Sequence, residues 1–302
     1  MSQDDFPLIM LQPVDGPGSS WAAVRIACAA GTDAAAMQRV FGEFGLAEAA
    51  GQLPCLLPAP VLALLDASAL PAGLVLRDEA GMPPWSGGTP VASSGGPGQA
   101  ILLKLLNQVA GDAETRDLES TLKQDPQLSI QLLRLVNSVA YGPGTRINSF
   151  AHAITLLGRR QLQRWLQLLL YASRSAAAGS SALLARAAYR AALMEGVCKV
   201  ARRDRAVQDE AFMVGMFSLL DRLFGNPLAD IVGPLNLIGD VTDALLRRTG
   251  KLGELLALAE AAESGESARI EQGLMRMGVG NEDWCRTQVE ALRWALQVGK
   301  DA

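Results

Sequence analysis

The sequence predicts a mostly α fold, a helical domain preceded by a small α/β module, on three observations. Apolar residues make up 49% of the chain and aromatic ones 5%, with alanine and leucine abundant, a balance that favours packed helices over a β-sandwich or barrel. From about residue 100 onward, apolar positions recur three and four apart, the repeat of one helix face. Before residue 80, apolar runs of strand length alternate with helical stretches, and a segment of glycine, proline and serine separates the two regimes.

In chain order, residues 7–11 and 21–28 read as strands, 33–50 as a helix, 53–57 as a strand, 60–65 as a short helix and 73–76 as a strand. That alternation is the grammar of a parallel sheet with right-handed crossovers. The opening MSQDDFPLIM is acidic where a signal peptide is basic, and its apolar run stops at Pro13; the chain reads as cytoplasmic, with no membrane segment. Residues 81–98, GMPPWSGGTPVASSGGPG, support neither helix nor ladder and read as a linker. The chain thus divides into a module at 1–80, a linker at 81–98 and a helical domain at 99–302 that includes the carboxy-terminal helices.

The helical domain is specified most sharply between Gln124 and Trp165. Asp125 and Pro126 form an N-cap and first helical residue, because the carboxylate accepts free amide protons and proline has none to satisfy. Leu128, Leu132, Leu135, Val136 and Val139 then share one face until Gly142, Pro143 and Gly144 stop the helix. A short second helix carries Ile154 and Leu157, Gly158 breaks it, and a third buries Leu162, Trp165, Leu166 and Leu169. Further helices are predicted at 182–203, 206–224, 241–249, 254–263 and 268–277, with Asn226 and Pro227 opening another short one. A last helix, capped by Asn281, carries the stripe Cys285, Val289, Leu292 and Leu296. A small sheet leaves a face and an edge uncovered. The helical domain, this stripe or a second copy of the chain must cover it, and packing within the chain is the expectation.

The run DPQLSIQLLRLVNSVAY, its glycine turn, and the segments INS and AITLLGRRQL resemble the HDOD domain, the HD-related output domain of bacterial signalling proteins. The likeness runs from about Ala100 to about Gly265 and takes in AFMVGMFSLLDRLFGNPLADIV. Asn137 and Ser138 are the family's most recognisable pair. They read as structural groups bonding backbone carbonyls near a helix end, and Asp125, Pro126 and Gly158 as structural members of the same motif. In catalytic relatives of the HD superfamily, a segment similar to VGMFSLLDRL carries a metal-binding His–Asp pair. Here those positions are Ser218 and Leu219, which cannot act as metal ligands, and the chain's one histidine, His152, reads as structural.

More weakly, LQPVDGPGSSWAAVRI and GQLPCLLPAPVLALLDASALPAGLVLR resemble the opening of an EAL domain, whose enzymes hydrolyse cyclic di-GMP. Only about eighty residues precede the linker, where a (β/α)₈ barrel takes two hundred or more. WAAVRI has no acidic residue where the EAL metal glutamate stands. The resemblance implies a degenerate, truncated EAL-like remnant without cyclic di-GMP hydrolysis.

Other chemistry is missing as well: no GxSxG elbow, phosphate loop or dinucleotide-binding glycine motif is present. The carboxylates Asp209, Glu210, Glu260, Glu263 and Glu266 read as solvated faces. The isolated Cys28, Cys55, Cys198 and Cys285 read as buried or partly buried reduced thiols. A net charge of −4, and a basic cluster of Arg202, Arg203 and Arg205 broken by Asp204, argue against nucleic acid as partner. The expectation is therefore a non-catalytic bacterial signalling output or scaffold protein that binds other signalling proteins, with no metal and no cofactor. A sensor of cyclic di-GMP or another nucleotide is the alternative, a metal-dependent phosphohydrolase is set aside, and homo-oligomerisation stays open.

Overall fold

The structure, a computed structural model, describes residues 6–16, 21–80, 97–122, 124, 162–164, 166–167, 180–233, 237 and 239–301. Asp125, Pro126, Asn137, Ser138, His152 and Gly158 lie outside the described residues, as do 81–96 of the expected linker.

The amino-terminal module is a four-stranded sheet in the order β1 (Ile9–Asp15), β2 (Trp21–Cys28), β3 (Cys55–Leu57), β4 (Leu76–Asp78). The second, third and fourth strands run parallel as expected, but β1 pairs antiparallel with β2, Ile9 opposite Cys28. The reason is length: the connection from Asp15 to Trp21 is far shorter than the dozen or so residues a parallel crossover needs. β1 also continues through Pro13, where the apolar run was expected to stop. Leu8, one residue out of phase with Pro13, accepts a bond from Ala29 of the β2 side. Pro13 therefore turns its missing N–H to the free edge, the one ladder position that tolerates it.

The helix expected at 33–50 forms in three pieces: α1 (Ala34–Gln38), a π-turn over Arg39–Glu43, and α2 (Leu46–Ala50). Asp33 caps the first, its carboxylate accepting from the Ala36 amide at 2.8 Å. Gly45, at φ +80°, separates the last two, a backbone position that other residues rarely adopt. The added turn leaves Val40, Phe41 and Phe44 all buried. α3 (Ala59–Leu62) then leads toward β4.

Among the described residues the later elements are all helices, in keeping with the mostly α class: α4 (Pro97–Ala110), α5 (Thr115–Leu122), α6 (Ser180–Val200), α7 (Arg205–Phe217), α8 (Leu220–Phe224), α9 (Leu228–Val232), α10 (Gly239–Arg247), α11 (Gly250–Ser264), α12 (Ser267–Met277) and α13 (Asn281–Asp301). The expected stops at Gly265 and Gly278 are both left-handed glycines. Leu162 and Leu166 are fully buried, as their spacing predicted. α6 packs against both α7 and α13, and Gly215 lies so close to the Ala191 backbone that any side chain there would collide with it. No helix of the described residues is long and apolar enough to cross a membrane.

One apolar core runs through sheet and helices alike. Trp284, Cys285, Val289 and Leu292 of α13 are fully buried and Leu296 partly so, and α13 packs on β1 and α2; the last helix thus covers the sheet within the chain. Asn281, expected as its cap, instead sends its amide to the Phe6 carbonyl at 3.0 Å. The free edge of β1 is closed by side chains. Gln288 accepts from the Leu11 N–H and donates to the Ile9 carbonyl, each at 2.8 Å, and the Tyr189 hydroxyl donates to the Leu11 carbonyl at 3.1 Å. All four cysteines are free; burial pushes the thiols of Cys28, Cys55 and Cys285 up to about 12 and that of Cys198 to about 11.

Candidate functional site

The helix expected at 206–224 breaks at Ser218 and Leu219, the two positions that the sequence resemblance set against a His–Asp pair. Ser218 ends α7 with its hydroxyl donating to the Gly215 carbonyl at 2.7 Å, and Leu219, at φ −117°, precedes α8. Both side chains are buried. The serine position is not vacant chemistry, because its oxygen accepts a bond from Arg190 Nη1 at 2.8 Å.

Arg190 lies on α6, and its guanidinium grips Glu263 of α11 with two parallel bonds: Nε to Oε1 at 2.7 Å, and Nη2 to Oε2. Glu263 is buried, which corrects the solvated-face expectation. It sits at the end of α11, which packs against β1, and Gln12 of that strand donates to the Ala262 carbonyl at 2.9 Å. Glu260, one turn earlier, is half-buried and pairs with Arg248 at 2.9 Å, with Arg190 3.8 Å away. Asp209 likewise pairs with Arg164, at 2.6 Å. Four residues before Arg190, Arg186 pairs with Asp15 of β1; burial pulls its guanidinium below its ordinary value, and the carboxylate pushes it back up.

Around this network opens a cleft of about 310 Å³. Arg190, Arg222 and Arg248 line it, with Ser218, Asp221, Glu260 and Glu263. Arg222, on α8 and half-buried, makes no hydrogen bond or ion pair with the described residues. Three guanidinium groups converging on one concavity suit a phosphate or carboxylate, since each presents a planar fork of donors matched to two oxygens. Metal chemistry does not fit the described residues: nowhere among them do three His, Cys, Asp or Glu side chains gather as ligands.

A family model described as the HDOD domain matches residues 100–226. The chain carries an HDOD domain. Arg190, Ser218, Leu219 and Arg222 lie within it, whereas Arg248, Glu260 and Glu263 follow it, so the cleft is shared between the HDOD domain and the helices after it. Cyclic di-GMP phosphodiesterase CdgJ of Vibrio cholerae is 30% identical over 68% of this chain and 47% of its own length. The uncharacterized protein YuxH of Bacillus subtilis is 28% identical over 63% of this chain and 46% of its own. The chain therefore spans about half the length of either relative. A crystal structure from Shewanella amazonensis SB2B, named "Putative phosphohydrolase", matches with a TM-score of 0.48 and 15% identity, covering 70% of this chain and 94% of its own.

The similarity to CdgJ, a protein named as a cyclic di-GMP phosphodiesterase, overturns the expectation that this chain is not an enzyme. That expectation rested on Ser218, Leu219, a scarcity of histidine and WAAVRI. Missing ligands at one position speak only for that position, and a relative at 30% identity is named as a phosphodiesterase. Arg190 and Gln288 went unseen in the sequence, and Glu263 was seen only as a solvated carboxylate. The available signal was Arg186, Tyr189 and Arg190 at spacings of three and one, on one side of a helix otherwise rich in alanine and leucine.

Proposed function

We propose that this chain works in cyclic di-GMP signalling and that the cleft between the HDOD domain and α11 receives the phosphodiester of the dinucleotide. The observation that supports it is the convergence of Arg190, Arg222 and Arg248 on one concavity in a relative of CdgJ. Arg222 offers a guanidinium uncommitted among the described residues, while Arg190 and Arg248 are held ready by Glu263 and Glu260 and can share their donors with an incoming phosphate. At roughly 30 Å³ per water-sized group, the cleft takes about ten heavy atoms. That is one phosphate and its sugar, with the bases projecting outward. In the same reading, residues 1–80 are an EAL-like module, 81–98 a linker and 99–302 the helical body, which passes the bound state to other signalling proteins by contact.

Turnover of the dinucleotide is the second reading, favoured by the name of the 30% identical relative. One experiment addresses both: cyclic di-GMP is titrated into the purified chain by calorimetry, and the mixture is then resolved by chromatography. Saturable one-to-one binding that weakens at least tenfold in Arg222→Ala is expected, and a linear dinucleotide product would add turnover. Absence of saturable binding to the folded protein would remove the cleft from cyclic di-GMP recognition.

A further inference from the structure

A second cavity, of about 330 Å³, lies on the far side of α11, where the ends of α6 and α12 meet the starts of α7 and α11. Its floor is aliphatic: Val197, Val207, Leu252, Leu255 and the flexible Met277, beside the Cys198 thiol. Among the described residues no aromatic side chain lines it to stack on a nucleobase. At its mouth stand Arg203, Lys251 and Arg276, one from each of three separate segments, and none of them forms an ion pair with the described residues. Two carboxylates face these three cations. Asp204 is occupied in capping α7, accepting from the Val207 amide at 3.0 Å, and Glu254 is exposed. A concave apolar floor with a few convergent charges at one end is the form of a small-molecule site, and its volume falls at the lower end of the range for such sites.

We propose that this cavity binds a small aliphatic carboxylate, its chain against the floor and its head among Arg203, Lys251 and Arg276. The volume corresponds to roughly ten heavy atoms at about 30 Å³ each, which sets the chain at about eight carbons. The site uses neither the arginine cleft nor the sheet, so it stands or falls independently of cyclic di-GMP binding.

Octanoate titrated into the full chain by calorimetry tests this, with 1-octanol as the uncharged comparison. Saturable one-to-one binding of octanoate is expected, at least tenfold tighter than 1-octanol. The combined variant Arg203→Ala, Lys251→Ala, Arg276→Ala changes only exposed side chains; it should unfold at the wild-type temperature and bind octanoate at least tenfold more weakly. Val207→Trp, which fills the floor and leaves the charges alone, should abolish binding of both compounds. Equal binding of octanoate and 1-octanol, undiminished binding by the triple variant, or no saturable binding at all would each overturn the proposal.

Discussion

Tyr189 and Arg190 are neighbours in sequence, about 100° apart around α6, and each serves a buried junction of a different kind. Tyr189 belongs to the seam between sheet and helices. There it packs edge-on against Trp21 at 6.3 Å between ring centroids, and its hydroxyl, with Gln288, closes the β1 edge with neutral bonds. Arg190 belongs to the cleft, where charged groups saturate one another. Neutral bonds to a strand edge are spent on position, because no mobile group can replace them there. A buried ion pair costs desolvation for both partners, and its oxygens are interchangeable with those of a ligand. The seam therefore holds the fold, and the cleft holds an ion-pair network closed on itself.

The hardest blow to the seam is to remove the helices. A fragment of residues 1–80 retains the four strands without Gln288, Tyr189 or the α13 stripe, and it should show no cooperative unfolding transition by circular dichroism. A soluble, monomeric, cooperatively folded fragment would show that the seam is dispensable.

Alkaline pH attacks the same region, since Cys28, Cys55 and Cys285 sit in the sheet and in the helix that covers it. Their thiols are raised from 9.0 to about 12, so the folded chain holds those protons more tightly than the unfolded one. This contribution to stability is complete below pH 9 and lost as pH rises toward 12. Denaturant midpoints should fall across that window. Thiol reagents at pH 8 should label Cys55 and Cys285 only as fast as the chain unfolds.

Gln288→Leu sharpens the comparison by leaving the Leu11 N–H and Ile9 carbonyl buried without their partner. At about 1–3 kcal/mol for each stranded group, a loss of about 2–6 kcal/mol in chemical denaturation is expected. In the cleft, Glu263→Ala strands the Arg190 charge and should cost about 3 kcal/mol, whereas Arg190→Met combined with Glu263→Leu should cost less than either single change. If the double variant is the least stable, the pair supports the fold as the seam does. The smallest effect belongs to Arg222→Ala, expected within about 0.5 kcal/mol of wild type in stability and visible only in ligand binding.

Much of this architecture was legible from local chemistry. The Asp33 cap, the Gly265 and Gly278 stops, the helix order and the apolar stripe of α13 follow from side chains acting on their own backbone. The antiparallel first pair was open to a loop-length argument that the strand pattern alone did not supply. The cleft was not legible. Glu263 looks like any helix-end carboxylate until α11 is laid against α6, and Ser218 looks like an empty ligand site until Arg190 reaches it across the crossing at Gly215. Contacts between residues 73 and 28 positions apart leave no periodic trace in the chain.

The closure of β1 by Gln288 also has a cost in time. Leu11 and its side-chain partner are separated by 277 residues. At the usual pace of about 5–20 residues per second, a ribosome needs roughly 14–55 s to make the stretch between them. Throughout that interval, the first strand of the nascent chain presents an unprotected edge able to pair with any extended segment it meets. The sheet is thus synthesised well before the helix that seals it, and its yield in cells should depend on whatever shields nascent chains more than on the stability of the finished fold.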